Sequence, residues 1–118
     1  MDKEIERRYK AKLIRVVDGD TIDAQIDLGF DVSIKKRIRL WGINAPEKRS
    51  KDKREVRAGK EVLRRLATIL ALSDGEFELI DHGDGKYGRC LGEIYTKTEE
   101  RSVNQMLLDE GLVKEYRK

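Results

Sequence analysis

The pattern of this chain predicts a β-barrel with helices, of the α+β class. More narrowly, it predicts a five-stranded Greek-key barrel of the OB-fold type, with a helix between the third and fourth strands and a C-terminal helix. Three observations lead there. Apolar and polar residues alternate strictly along TIDAQIDL, residues 21–28. The apolar period then lengthens to that of a helix over residues about 54–72. Two further β-rich segments follow, and a last helical stretch closes the order as βββ-α-β-β-α.

Taken in order, Tyr9 to Val17 (YKAKLIRVV) is rich in β-formers and ends at the turn pair Asp18-Gly19. Along Thr21 to Leu28, Ile22, Ala24, Ile26 and Leu28 share one face and Thr21, Asp23, Gln25 and Asp27 the other, the mark of a half-buried strand. Gly29-Phe30-Asp31 offers the next turn. Val32 to Ile43 reads as a third strand, with Ile34, Ile38 and Leu40 inward and Arg37, Arg39 and Trp41 outward. Three consecutive strands with short connections predict an antiparallel meander. Ala58, Val62, Leu63, Leu66, Ile69 and Leu70 then keep helical spacing until Ser73-Asp74-Gly75, with Gly59 a slight weakness. Glu76 to Asp81 is the fourth strand, HGDGKYGR a loop, and Cys90 to Thr96 the fifth strand. Ser102 and Gln105 fit a capping box for the second helix, which Gly111 stops.

The 118 residues are expected to form one domain, spanning 1–118, with no repeat or linker. Charged residues make up 42% and aromatic residues 6%, so the core has to be aliphatic and the surface densely ionic. Between Lys48 and Arg65 stand nine Lys or Arg against three Asp or Glu, a local +6 in a chain of net charge +3. Such a stretch attracts polyanions, although ion pairs such as Glu61 with Arg65 at i,i+4 describe it equally as a solvated helix face. No run approaches the ~18 apolar residues of a membrane span. MDKEIERRYK lacks the apolar region of a signal peptide, and the lone Cys90 cannot form an internal disulfide. A cytoplasmic location, no membrane and no obligate protein partner are the resulting expectations.

The polar groups of interest sit at strand ends. Asp18 and Asp20 occupy the turn between strands one and two, while Asn44 and Glu47 follow strand three in RLWGINAPE. In a meander the end of strand one and the end of strand three share an edge, so these oxygen donors converge, of the hard kind that Ca²⁺ or Mg²⁺ prefers. Arg39 lies on the outward face of strand three, and Arg89 ends the loop before strand five. Two guanidinium forks beside an oxygen-lined cation suit a phosphodiester, gripping phosphate oxygens and opposing charge that builds in the transition state. Alone, each piece is ordinary: an aspartate in DGD is turn chemistry, and a strand arginine covers apolar surface.

Their order is more specific than the pieces. VVDGDT, RLWGINAPE, DGKYGRCLGEIY and SVNQMLLDEGL, spread from about Tyr9 to Tyr116, resemble the thermonuclease family of staphylococcal nuclease homologues. The resemblance implies an OB-fold barrel and a Ca²⁺-dependent phosphodiesterase acting on DNA and RNA. It further implies a preference for single or frayed strands and cleavage of the P–O5′ bond to leave a 3′-phosphate. By the same resemblance Asp20, Asn44 and the backbone carbonyl of Ala45 hold the metal, with Glu47 reaching it through water. Arg39, Glu47 and Arg89 are catalytic: Glu47 orients or deprotonates the attacking water, and the arginines bind the scissile phosphate. Lys86 and Tyr87 hold a terminal phosphate and stack near the base.

Asn44 departs from the family, which carries an aspartate there. The lost charge, worth about 4 kcal/mol at 4 Å and an effective dielectric near 20, is expected to weaken calcium binding. Trp41 either stacks on a base or packs against a helix or loop. Tyr116 is read as packing on the barrel, and His82 has no assigned role. Beside the nuclease stand two other readings. One is a catalytically weak or inactive OB-fold module that binds single strands. The other is a protein-interaction barrel.

Overall fold

The computed structural model describes residues 7–116; the first six residues of MDKEIERRYK fall outside them. Five strands close a barrel: β1 (Arg8–Asp18), β2 (Thr21–Gly29), β3 (Val32–Leu40), β5 (Glu76–Asp84) and β6 (Cys90–Tyr95). Their order is β1-β2-β3-β6-β5, closing back on β1, antiparallel throughout except for the parallel contact of β3 with β6. This is the OB-fold arrangement. Helix α1 (Lys53–Ala71) follows β3, and α2 (Val103–Asp109) follows β6. A two-residue β4 (Ile43–Asn44) pairs with a two-residue β7 (Lys114–Glu115) outside the barrel.

The core is aliphatic, as the composition requires. Ile22, Ile38, Leu40, Leu79 and Ile94 fill the barrel, and Val62, Leu66 and Leu70 of α1 close it from one side. Leu107 and Val103 of α2 join the same cluster. Asp52 caps α1 by accepting from Arg54 N–H at 2.9 Å. Ser102 caps α2 through Gln105 N–H at 3.0 Å. The capping box is only half formed, because the Gln105 amide reaches forward to Asp109 at 2.7 Å instead of back.

Several expectations change. The third strand does not run to Ile43; it stops at Leu40, since Gly42 takes φ +80 and turns the chain into β4. Among the described residues seven strands replace the five expected, although the barrel itself keeps five. Ile34 is 42% exposed rather than inward. The reason is topological: β6 meets β3 only at Ile38–Leu40, so the β2–β3 hairpin projects past the barrel, leaving Leu28, Phe30, Val32 and Ile34 in solvent. The fourth strand continues past Asp81 to Asp84, absorbing the first three residues of the expected loop. Arg65 does not pair with Glu61. It forks onto Glu110 at 2.7 and 2.9 Å, tying α1 to the end of α2.

Candidate active site at the barrel rim

The DGD turn and the end of β3 are joined directly. Leu40 N–H donates to the Asp20 carbonyl at 2.8 Å, and Thr21 is the register partner of Arg39. Sequence separation thus collapses at one rim. Asp20 Oδ1 accepts from the Thr21 hydroxyl at 3.0 Å and its Oδ2 from Ala45 N–H at 2.9 Å, which fixes the carboxylate between the turn and the segment after β4.

Arg39 is the hub. Its Nη1 donates to the carbonyls of Leu40 and Ile43, each at 2.9 Å, locking the guanidinium plane. Its Nη2 donates to Asn44 Oδ1 at 3.1 Å and lies 3.4 Å from Asp20 Oδ2. Two oxygens from distant segments therefore share one cationic nitrogen. One carboxylate and one amide oxygen are donors of the kind a hard cation takes, although the pair carries a single formal negative charge. Among the described residues no group of three His, Cys, Asp or Glu side chains gathers to hold a metal.

The other predicted residues are placed less tightly. The Glu47 carboxylate is exposed and accepts from Arg49 N–H at 3.1 Å; among the described residues no hydrogen bond or ion pair joins it to Asp20 or Arg39. Arg89 Nε donates to the Lys86 carbonyl at 3.1 Å and its guanidinium lies 5.8 Å from the Tyr87 ring centre. Tyr87, at φ 61, is almost fully exposed, and Lys86 is exposed beside it. Arg89 and Tyr87 line an open cleft of about 500 Å³ with Val17, Asp18, Thr21 and Arg37, and so face the DGD turn. A larger groove of about 1020 Å³ lies by the β2–β3 hairpin tip; Asp27, Asp31, Glu76 and Glu78 alternate there with Lys10, Lys12 and Lys97, and none of Asp20, Arg39, Asn44, Glu47 or Arg89 lines it.

Trp41 stacks on His82, with ring centres 4.0 Å apart and planes within 2°. Of its two readings, then, one ring face is covered by protein. His82, given no role from sequence, fixes that tryptophan while bonding Glu93 Oε1 at 2.9 Å. Tyr116, half exposed, ties its backbone N–H to the Gly42 carbonyl at 2.9 Å. Cys90 is buried and inert: burial first, then the neighbouring Asp81 carboxylate, push its thiol up to about 12.

Four residues escaped sequence reasoning. Arg37 lines the cleft, held by Asp23 at 2.8 and 3.2 Å; that hydrogen bond from Arg37 also holds the Asp23 carboxyl below its ordinary value. Its signal was available, since Arg37 and Arg39 share a face. Asn104, buried, donates to the carbonyls of Trp41 and Gly92 and accepts from Ile94 N–H, securing the end of β3 to α2. Gly59 and Gly19 matter for what they lack. A Cβ on Gly59 would sit 2.7 Å from the Pro46 carbonyl, and one on Gly19 would sit 2.7 Å from Val62. Helix α1 is thus the floor beneath both site loops.

A closed barrel with an arginine clamped between an aspartate and an asparagine at its rim defines a class. The chain belongs to the staphylococcal nuclease homologue family, whose sequence pattern matches residues 37–118; the family is known for metal use. Two similar proteins stand out. "Protein ParB" of Escherichia coli is 30% identical over 119 residues, covering 92% of this chain and 58% of its own. "Endonuclease YhcR" of Bacillus subtilis (strain 168) is 32% identical over 117 residues, covering 94% of this chain and 9% of its own.

Proposed function

We propose that this chain acts as a single nuclease domain, a metal-dependent phosphodiesterase that cleaves DNA or RNA, with Ca²⁺ as its ion. Single or frayed strands are its substrates, the P–O5′ bond is broken and a 3′-phosphate remains. The family membership and the Bacillus endonuclease support a nuclease-type function. The finer statements rest on one observation: Arg39 holds Asp20 and Asn44 together, with Arg89 and Tyr87 lining the cleft that faces the same turn.

In this reading Asp20, Asn44 and the Ala45 carbonyl hold the ion, which when bound supplies positive charge to a phosphoryl oxygen. Arg39 has both Nη1 protons committed to carbonyls, so it cannot swing away; its Nε–H and charge are what it offers to phosphate. Arg89 keeps both Nη groups without a partner among the described residues and meets the phosphate from the cleft side. Glu47, on an exposed loop whose backbone N–H is held by Glu55 at 3.1 Å, takes the proton of the attacking water.

A second reading, a binding module without cleavage, is favoured by Asn44, whose amide oxygen is already satisfied by Arg39. Incubation of denatured DNA with calcium, then with a chelator, separates the two. Chelator-sensitive cleavage that falls by about a hundredfold or more in Glu47→Ala and Arg39→Ala supports the nuclease. Binding without cleavage across a wide calcium range leaves the binder.

A further inference from the structure

Lys53, Arg57, Lys60 and Arg64 follow one another at spacings of four, three and four along α1. At about 100° per residue they form one stripe, directly opposite the buried Val62, Leu66 and Ile69. The stripe is about 16 Å long at ~1.5 Å per residue. All four side chains are exposed, and among the described residues none has a hydrogen bond or ion pair. Nearby acids are engaged elsewhere: Asp52 caps the helix, Glu55 holds Glu47 N–H, and Glu110 takes Arg65. Glu61 alone flanks the stripe. Exposed Arg49 and Lys51 carry the same charge back along the loop to Glu47, while Lys48 turns inward to the Val17 carbonyl and Asp18.

We infer that this stripe is a second nucleic-acid surface, which binds the phosphate backbone of a long strand beyond the segment in the cleft. Four unneutralised cations in a row, on the helix that floors the site loops, complement a polyphosphate and carry no sequence code. An anionic membrane is a poorer match, because α1 exposes no large apolar side chain between Lys53 and Arg64. The inference rests on the site acting on nucleic acid, and it extends that reading from the cleaved bond to the length of substrate held.

The test is the joint substitution Lys53→Gln, Arg57→Gln, Lys60→Gln and Arg64→Gln, with circular dichroism to confirm the fold. Binding is measured in chelator, where no cleavage intervenes, against a long labelled single strand, a dinucleotide and phosphatidylserine vesicles. The expected result is at least tenfold weaker binding of the long strand, a salt slope shallower by about 3, and unchanged dinucleotide binding. An unchanged slope for the long strand overturns the inference, as does a loss confined to the vesicles. Because the readout is binding, a chain that proves unable to cleave leaves this result intact, and a cleaving chain with an unaltered slope removes the stripe alone.

Discussion

Asn44 is where the chemistry of this site turns on a single atom. Its side chain offers Arg39 an amide oxygen where a carboxylate would offer a charge as well. Arg39 consequently faces one formal anion, Asp20, and a cation entering the same oxygens gains less than it would from two. Restoring the carboxylate with Asn44→Asp is expected to lower the calcium needed for half-maximal cleavage by about tenfold, on the order of 1.4 kcal/mol of added ion affinity. A titration of activity against free calcium measures it, and an unchanged midpoint would remove position 44 from the ion. Asp23 and Arg37 show the complementary case, a surface carboxylate used to aim a guanidinium at the cleft.

Helix α1 works at the scale of the element. Its apolar face packs on the barrel, its Gly59 admits the Pro46–Lys48 backbone, and its Val62 supports Gly19 of the DGD turn. Gly59→Ala improves helix propensity by about 1 kcal/mol. The new Cβ, however, would lie 2.7 Å from a backbone oxygen and 3.0 Å from the Lys48 Cα, and neither can move alone. Overpacking of this kind costs about 1–3 kcal/mol, so the variant is expected to be less stable in urea despite the better helix former. Displacing the loop that carries Ala45 and Glu47 should also cut activity by about tenfold or more. A variant more stable than the parent, with full activity, would show that the loop does not rest on α1.

Across the whole molecule, ion pairs and charged hydrogen bonds tie the surface of neighbouring elements together. Arg65 of α1 grips Glu110 beyond α2, and the Glu110 carboxyl is held below its ordinary 4.5 chiefly by that hydrogen bond. Lys97 lowers Glu76 in the same way, and Gln105 with Arg101 lowers Asp109. A carboxyl depressed in the folded state contributes stability that is fully present above its unfolded value. That contribution is lost as pH falls through the folded one. Urea midpoints should accordingly decline as pH drops from about 5 through the carboxylate range. The deficit of Arg65→Gln, about 0.5–1 kcal/mol at neutral pH for a forked surface pair, should close on acidification. A deficit independent of pH would mean that Arg65 acts by packing.

How far the sequence reached depended on the range of the interaction involved. The alternation over Thr21–Gly29 and the helical period of α1 are local properties, and both elements appear within a residue or two of their expected ends. The order of elements carried the barrel, because short connections leave a meander few alternatives. The motif VVDGDT named Asp20, and RLWGINAPE named Arg39 and Asn44, but their meeting on one nitrogen needed the β2–β3 register. Local pattern was silent where a residue's environment is made by a distant segment. Ile34 has the right face and no third strand to cover it; Gly59 is a poor helix residue until the Pro46 carbonyl is seen beneath it; Arg65 finds Glu110, 45 residues away, before the nearer Glu61. Periodicity specifies which side of an element is apolar. Only closure of the barrel decides what stands against that side, since the contacts that fix it lie across the chain and have no local signature.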